Sequence, residues 1–352
     1  APVQNGTALQ LGGEWDITAS KQLKGHLRIA REKGDWAFLL DDAPIQLGLQ
    51  QLQFDARAQD GNLTAGLVIR GERTGETMAN ATLPLVHKNG NWQIAHELPL
   101  SGKMNFSIAD LSWIGPLVNS NLKSSGQLSM QANVSGTFNH PRLDGTILGE
   151  ELALALLDEG IHLQLGYLKA HFDQSSLQIN TLTFTSPHQA PPKDRLLSKI
   201  KLAKDSGQLA VTGAIDYQDQ RSYLTIAIDH LPLAQQPDRW IIVSGNGQVS
   251  LHKQQLAIDG KLTTDAGFLL QPEAGKPQLS DDVIIITGES APPADAEKLL
   301  VNLNATLDLG EYFYLRASGL EGRLAGQLQL NSKPGRALSA IGTISARDTV
   351  FN

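Results

Sequence analysis

Nine histidines and thirty-six acidic residues are the chain's stock of groups able to bind a metal or move a proton, and their spacing does neither. No His-x-His or His-x-x-x-His pattern occurs, so no two imidazoles are set on one side of an element as a metal requires. His87 and His96, like His162 and His171, are near enough in sequence to face each other across hairpins, but solvated strand positions account for them. Asp41-Asp42, Glu150-Glu151 and Asp281-Asp282 are adjacent carboxylates, and neighbours on a strand point to opposite faces, so no such pair flanks one substrate bond. Gly245-Asn246-Gly247 lacks the third glycine and the following helix of a dinucleotide loop, and there is no Gly-x-Ser-x-Gly elbow. The expectation is a protein that is not an enzyme and carries no metal or cofactor.

Charge narrows the partners. A formal net charge of −7 without a basic stripe argues against nucleic acid, which needs clustered Lys and Arg to displace phosphate counterions. The absence of cysteine removes disulfides and thiolate metal sites and suits an oxidising compartment. No run of about eighteen apolar residues spans a bilayer, and no signal peptide is present. Opening at Ala1-Pro2 and stopping at Phe351-Asn352, the chain reads as an excised piece of a larger protein whose anchor lies elsewhere. The sequons at Asn62, Asn80, Asn133 and Asn304 are assigned no function. Five scattered tryptophans, Trp15, Trp36, Trp92, Trp113 and Trp240, read as packing anchors.

What remains is pattern. Gly126 to Ile147 and Gly322 to Ile344 share a glycine, alternating apolar residues, a proline-bearing turn and Gly-Thr-Ile, so one supersecondary unit is used twice. The rest repeats that grammar. Asp60-Gly61, Asn89-Gly90 and Glu159-Gly160 supply hairpin turns that need positive φ. Apolar parity runs through Leu52, Phe54, Ala56 and Ala58, through Leu63, Ala65, Leu67 and Ile69, and through Met104, Phe106 and Ile108. It continues with Leu128, Met130 and Val134; Leu163, Leu165 and Tyr167; Leu177 and Ile179; Leu182 and Phe184; Leu209, Val211 and Ile215. It ends with Leu224, Ile226 and Ile228; Leu256, Ile258 and Leu262; Leu303, Leu307 and Leu309; Phe313 and Leu315. This is an all-β chain of antiparallel strands. It is expected to form one continuous body over 1–352, with a sub-boundary near 110–125 and loops at 189–207 and 271–300. Short helices are expected within Asp110 to Asn121, Arg195 to Lys204 and Ala294 to Leu300. Periodicity alone leaves two closures open: a dry sandwich, or a sheet curled around an open groove.

Ser135 to Gly145 (SGTFNHPRLDG), Gly160 to Gly166 (GIHLQLG), Trp92 to Gly102 and above all Leu303 to Leu330, preceded by Ser280 to Val283, resemble the TamB family of bacterial envelope proteins. Asp348 and Thr349 depart from that family's pattern after Gly-Thr-Ile-Ser. The resemblance implies a periplasmic β-taco, a long antiparallel sheet folded lengthwise into a trough of about twenty-five strands and on the order of 120 Å. It implies that the residues from Leu128 to Leu315 in the apolar parity line a path for phospholipid acyl chains. It implies an inner-membrane anchor outside this chain, membranes at the ends of the whole protein, and an outer-membrane barrel partner, TamA. The alternative function is a chaperone that pairs its open edges with outer-membrane strands by β-augmentation. A β-helix enzyme or adhesin is disfavoured by the irregular spacing.

Overall fold

Strict apolar/polar alternation leaves the chain little choice but strands, and the computed structural model, which describes residues 8–40, 43–200, 202–271, 300–317, 319–334 and 336–351, is all-β. It divides into two units, residues 1–155 with 164–182 and residues 156–163 with 183–352. The division runs through β11 (Pro141–Leu156), β12 (Ile161–Phe172) and β13 (Ser176–Pro187).

The first unit begins with β1 (Gln10–Ala19), β2 (Leu23–Lys33), a hairpin of β3 (Ala37–Leu40) and β4 (Ala43–Gln46), β5 (Leu49–Gln59) and β6 (Asn62–Gly71). It continues with β7 (Gly75–Lys88), β8 (Asn91–Ile94), β9 (Ser101–Ile108), helix α1 (Gly115–Val118) and β10 (Leu122–Gly136). Antiparallel pairing runs β1–β2–β5–β6–β7–β9–β10, with β3–β4 and β7–β8 as side ribbons. Two hairpins close on the turns expected: Asp60 and Gly61 at φ 53 and 76, and Asn89 and Gly90 at φ 52 and 79. The helix expected between Asp110 and Asn121 is the four-residue α1, started by Pro116 and tied down by Gly115 N–H donating to Ser124 Oγ at 2.7 Å.

The second unit carries a 3-10 turn at Arg195–Lys199, then β14 (Ser206–Asp216), β15 (Arg221–Gln235), β16 (Arg239–His252) and β17 (Gln255–Leu270). β18 (Leu300–Asp308), β19 (Phe313–Ala317), β20 (Leu320–Ser332) and β21 (Ser339–Phe351) complete it. β14 to β17 form an antiparallel meander, as do β18 and β19 against β20, and β20 against β21. One join departs from the antiparallel expectation: β18 and β19 run parallel to β17, pairing with its first and second halves in turn. A parallel neighbour needs a long crossover, and the chain from Leu270 to Leu300 has the length for one. The helix expected at Ala294 to Leu300 falls on that connection and lies outside the described residues, apart from Leu300 itself, the first residue of β18.

Irregularities reset the parity of several strands. Leu165 in β12 and His230 in β15 sit at positive φ (52 and 52), and β17 gains an extra residue at Asp265. The Ser244 hydroxyl joins the latter two, accepting from His230 N–H at 2.9 Å and donating to Asp265 at 2.6 Å. Where strands press closest, only glycine fits: Gly213, paired with Leu224, has φ +150, and a Cβ there would strike the Tyr223 carbonyl oxygen. Gly213→Val is therefore expected to destabilise the protein by about 1–3 kcal/mol, read as a lower urea midpoint at unchanged slope.

Candidate functional site

Residues paired across an antiparallel ladder share a face, so the registers determine which side chains lie together. In the second unit Gly213, Leu224, Val249, Ile258 and Leu303 are joined pair by pair, and the next row joins Val211, Ile226, Gly247, Gly260 and Ala305 to Leu330. A third joins Leu209, Ile228, Gly245, Leu262 and Leu307 to Leu328. Ile215 and Leu256 flank these rows on the same face. Apart from the buried Ala305, the aliphatic side chains in the rows are half-buried rather than dry, in contrast to the core of a closed sandwich. The opposite face is a ladder of amides and charges, with Asn304 Nδ2 donating to Asp259 at 3.0 Å and Gln329 Nε2 donating to Asn304 at 2.7 Å.

The dry cluster of this unit lies on the polar side of the sheet. Trp240 and Ile242 point there on the same parity as Gln248, Ala266 and Phe268 do so past the β17 bulge, and Leu197 of the 3-10 turn covers them, with Leu196, Ile200 and Leu202 around it. Arg316 pairs with Asp194 at 2.8 Å and Arg195 with Glu321 at 2.8 Å, so charges close the rim of that patch. The stretch 189–207, expected as a loop, is thus docked through its apolar residues. Leu309 and Phe313 are buried, and Leu315, paired with Leu269 and Gly322, is half-buried.

In the first unit one face carries Ile29, Phe54, Leu67 and Ala79 in a row, joined through Met104 to Ala132. The next row carries Leu52, Ile69, Thr77, Phe106 and Met130, and Leu128 and Val134 pair with Ile108 and Gly102 on the same face. Along β12 and β13, Leu163, Leu177, Ile179 and Leu182 are half-buried and Phe184 is buried. Leu165 departs from the expected parity: it is 71% exposed, because its positive φ turns it outward. Beyond that bulge the inward positions are Gly166, Leu168, Ala170 and Phe172, and Tyr167 is exposed with Leu165. Sequence reading also missed Leu27, Ile29, Val249, Leu251, Leu328 and Leu330. For the β16 pair the inward Gly245 and Gly247 erase the alternation that would have marked the strand.

The histidines stay apart. His87 pairs with Trp92 and not His96, while His162 and His171 share β12. Among the described residues no group of three or more His, Asp or Glu stands where it could hold a metal ion. Trp240 is a packing anchor, but Trp15 and Trp36, expected as anchors, are 72% and 64% exposed, Trp15 because β1 has no neighbour on its outer side among the described strands.

A cavity of about 360 Å³ sits on the first unit's apolar side, with the row Leu52, Ile69, Thr77 and Phe106 among its lining together with Trp36, Leu47 and Trp113. Asp35 holds the Trp36 and Leu47 segments in place. Its carboxylate accepts from the N–H groups of Trp36, Gly48 and Leu49 at 2.8, 2.9 and 2.9 Å. Burial, the largest influence, pushes that carboxyl up, but the backbone donors of Leu49, Gly48 and Trp36 and the nearby Arg31 guanidinium together hold it below the usual carboxylate value.

Amphipathic antiparallel sheets with half-open aliphatic faces, built from hairpin repeats, define the chain as a repeat-built all-β protein. The family is the TamB family, to which the chain belongs: residues 4–148 match the TamB N-terminal domain and residues 198–352 the TamB C-terminal domain. No solved structure matches the chain. No helix among the described residues is long and apolar enough to cross a membrane.

Because the folded pKa of Asp35 is depressed, its stabilising contribution is fully present above the unfolded value of about 3.9 and is lost as pH falls through the folded value. Asp35→Ala is expected to lower stability by about 1–3 kcal/mol at pH 7, with the gap to wild type narrowing as urea melts are taken from pH 5 toward pH 2.

Proposed function

We propose that the apolar face of each unit shields phospholipid acyl chains in the bacterial periplasm, as part of an envelope-spanning protein that moves lipid between the inner and outer membranes. The observation that carries this reading is the half-buried state of Leu224, Ile226, Val249, Ile258, Leu303 and Leu307 on one face, opposite a face of hydrogen-bonded amides. Each exposed methylene costs about 0.8 kcal/mol, so a sixteen-carbon tail in water faces a barrier of roughly 13 kcal/mol. An aliphatic face removes most of that barrier, and because bilayer and face are similarly apolar the tail exchanges one for the other at small net cost. The headgroup keeps its water at the open side. No bond is made or broken, so the role calls for no catalytic residue or cofactor. Membership of the TamB family supports the periplasmic setting and a partnership with the barrel TamA in outer-membrane biogenesis.

The test is site-specific photocrosslinking in cells. A photoreactive residue at Ile226, Ile258 or Leu307 is expected to capture phospholipid, and one at Gln248 or Asn304 is not. Ile226→Arg is expected to reduce capture at Ile258, whereas Leu165→Arg, on an exposed side chain, leaves it unchanged. Capture confined to the polar-face positions overturns the reading.

A further inference from the structure

The cavity on the first unit's apolar side is set apart from the open rows by what its walls lack. Leu52, Ile69 and Phe106 form its floor, and Trp36 and Trp113 line it from the connections β2–β5 and β9–β10, at the strand ends. Its accessible wall is almost wholly carbon. The carboxylate of Asp35, beside Trp36, is engaged by three backbone N–H groups, and the Trp113 indole nitrogen is inaccessible. A peptide segment, a sugar or a lipid headgroup placed there would give up water and find no hydrogen-bond partner, a cost that is absent for a hydrocarbon chain. At about 360 Å³ the cavity stands at the lower end of small-ligand pockets, about 300–1,000 Å³, which suits part of one alkyl chain and not a whole diacyl lipid. Its floor runs on into the rest of the apolar face, since Phe106 pairs with Met130 of β10.

We infer that this cavity is the seat for the methyl end of a single lipid tail, a stop at which a chain lying on the first unit's apolar face comes to rest with its head group directed away. The tail end lies on Leu52, Ile69 and Phe106 against Trp36 and Trp113, and the rest of the chain follows the face toward Met130. Thr77 sets the room available: it pairs with Ile69 on one side and Phe106 on the other, and its small side chain leaves the volume that the tail end takes. The inference rests on the lipid reading above for its ligand class and adds to it a fixed place and an orientation, neither of which the open rows specify.

The experiment titrates the full chain with lysophosphatidylcholine brominated near the methyl end of its tail and with the isomer brominated near the glycerol. The readout is tryptophan quenching in the wild type less that in a Trp36→Phe, Trp113→Phe double variant, so that the difference reports the two cavity tryptophans. The methyl-end isomer is expected to quench them saturably and more strongly than the glycerol-end isomer. Thr77→Phe, which fills the cavity with carbon and displaces about two methylenes, raises the half-saturating lipid concentration about tenfold, whereas Thr77→Val, of the same size as threonine, leaves it unchanged. Equal quenching by the two isomers overturns the inference whatever the variants do, and so does a Thr77→Phe variant that binds as wild type does. Sedimentation of the lipid-free chain as a dimer that Thr77→Phe converts to monomer assigns the cavity to a second copy and overturns it as well. Absence of quenching by either isomer, with phospholipid still captured at Ile226, Ile258 and Leu307, overturns the seat alone. Saturable methyl-end quenching without such capture upholds the seat and overturns the wider lipid reading.

Discussion

Backbone pairing register is the constraint on which everything else in this protein depends. A β-strand shows alternate residues to opposite sides, so a slip of one position exchanges an aliphatic face for a polar one. In the second unit the ladders hold Leu224, Val249, Ile258 and Leu303 in line across strands far apart in sequence, and the polar side chains of Gln248, Asp259 and Asn304 in line behind them. Cross-strand hydrogen bonds between Asp259, Asn304 and Gln329 reinforce that register from the polar side. The aliphatic rows contribute little specificity of their own, because one branched side chain packs against its neighbour much like another. Register therefore has to come from backbone, turns and polar ladder, which leaves the apolar face free to remain half-open.

Bulges are the places where this constraint is deliberately reset. At His230 in β15 and Asp265 in β17 the two strands that flank β16 each gain a residue, and Ser244 of β16 between them satisfies both. For β17 the result is a change of side: beyond its bulge Ala266 and Phe268 join Trp240 and Ile242 of the regular β16 on the flank that carries amides further along. An exposed tryptophan on that flank would be unfavourable, and the apolar residues of 196–202 cover it. One irregularity thus explains both a dry core on the polar side and the docking of a segment whose composition reads as loop.

How much of this is legible in sequence follows the same physics. Turns at Asp60-Gly61 and Asn89-Gly90 are legible because positive φ selects Asn, Asp and Gly. The turn at Lys253-Gln254 is not, because Lys253 takes φ 55 without any such residue type. Ile226, Ile258 and Leu307 are placed correctly on a common face because their strands are regular there. Leu165 is misplaced because nothing in GIHLQLGYL marks a leucine that will adopt φ 52, and the true inward set beyond it, Leu168, Ala170 and Phe172, has the opposite parity. The parallel join of β17 to β18 is illegible for another reason: strand direction depends on where a long connection returns the chain, and alternation is the same in either direction. Of the cavity's lining, Leu52, Ile69 and Phe106 are visible as parity, whereas Trp36 and Trp113 lie in connections whose approach only tertiary structure creates.

A half-open apolar face would be a liability in a protein with nothing to bind, since such surface favours aggregation. The protein limits the hazard by composition: glycine and alanine occupy Gly245, Gly247, Gly260 and Ala305 within the rows, so the face is shallow there and the strands can approach closely. Small residues also leave volume above the sheet, whereas a closing sandwich would need large side chains to fill the gap between layers. The same choice that weakens the face as a protein core suits it as a surface for an alkyl chain, which brings its own bulk and needs no fixed contacts along its length.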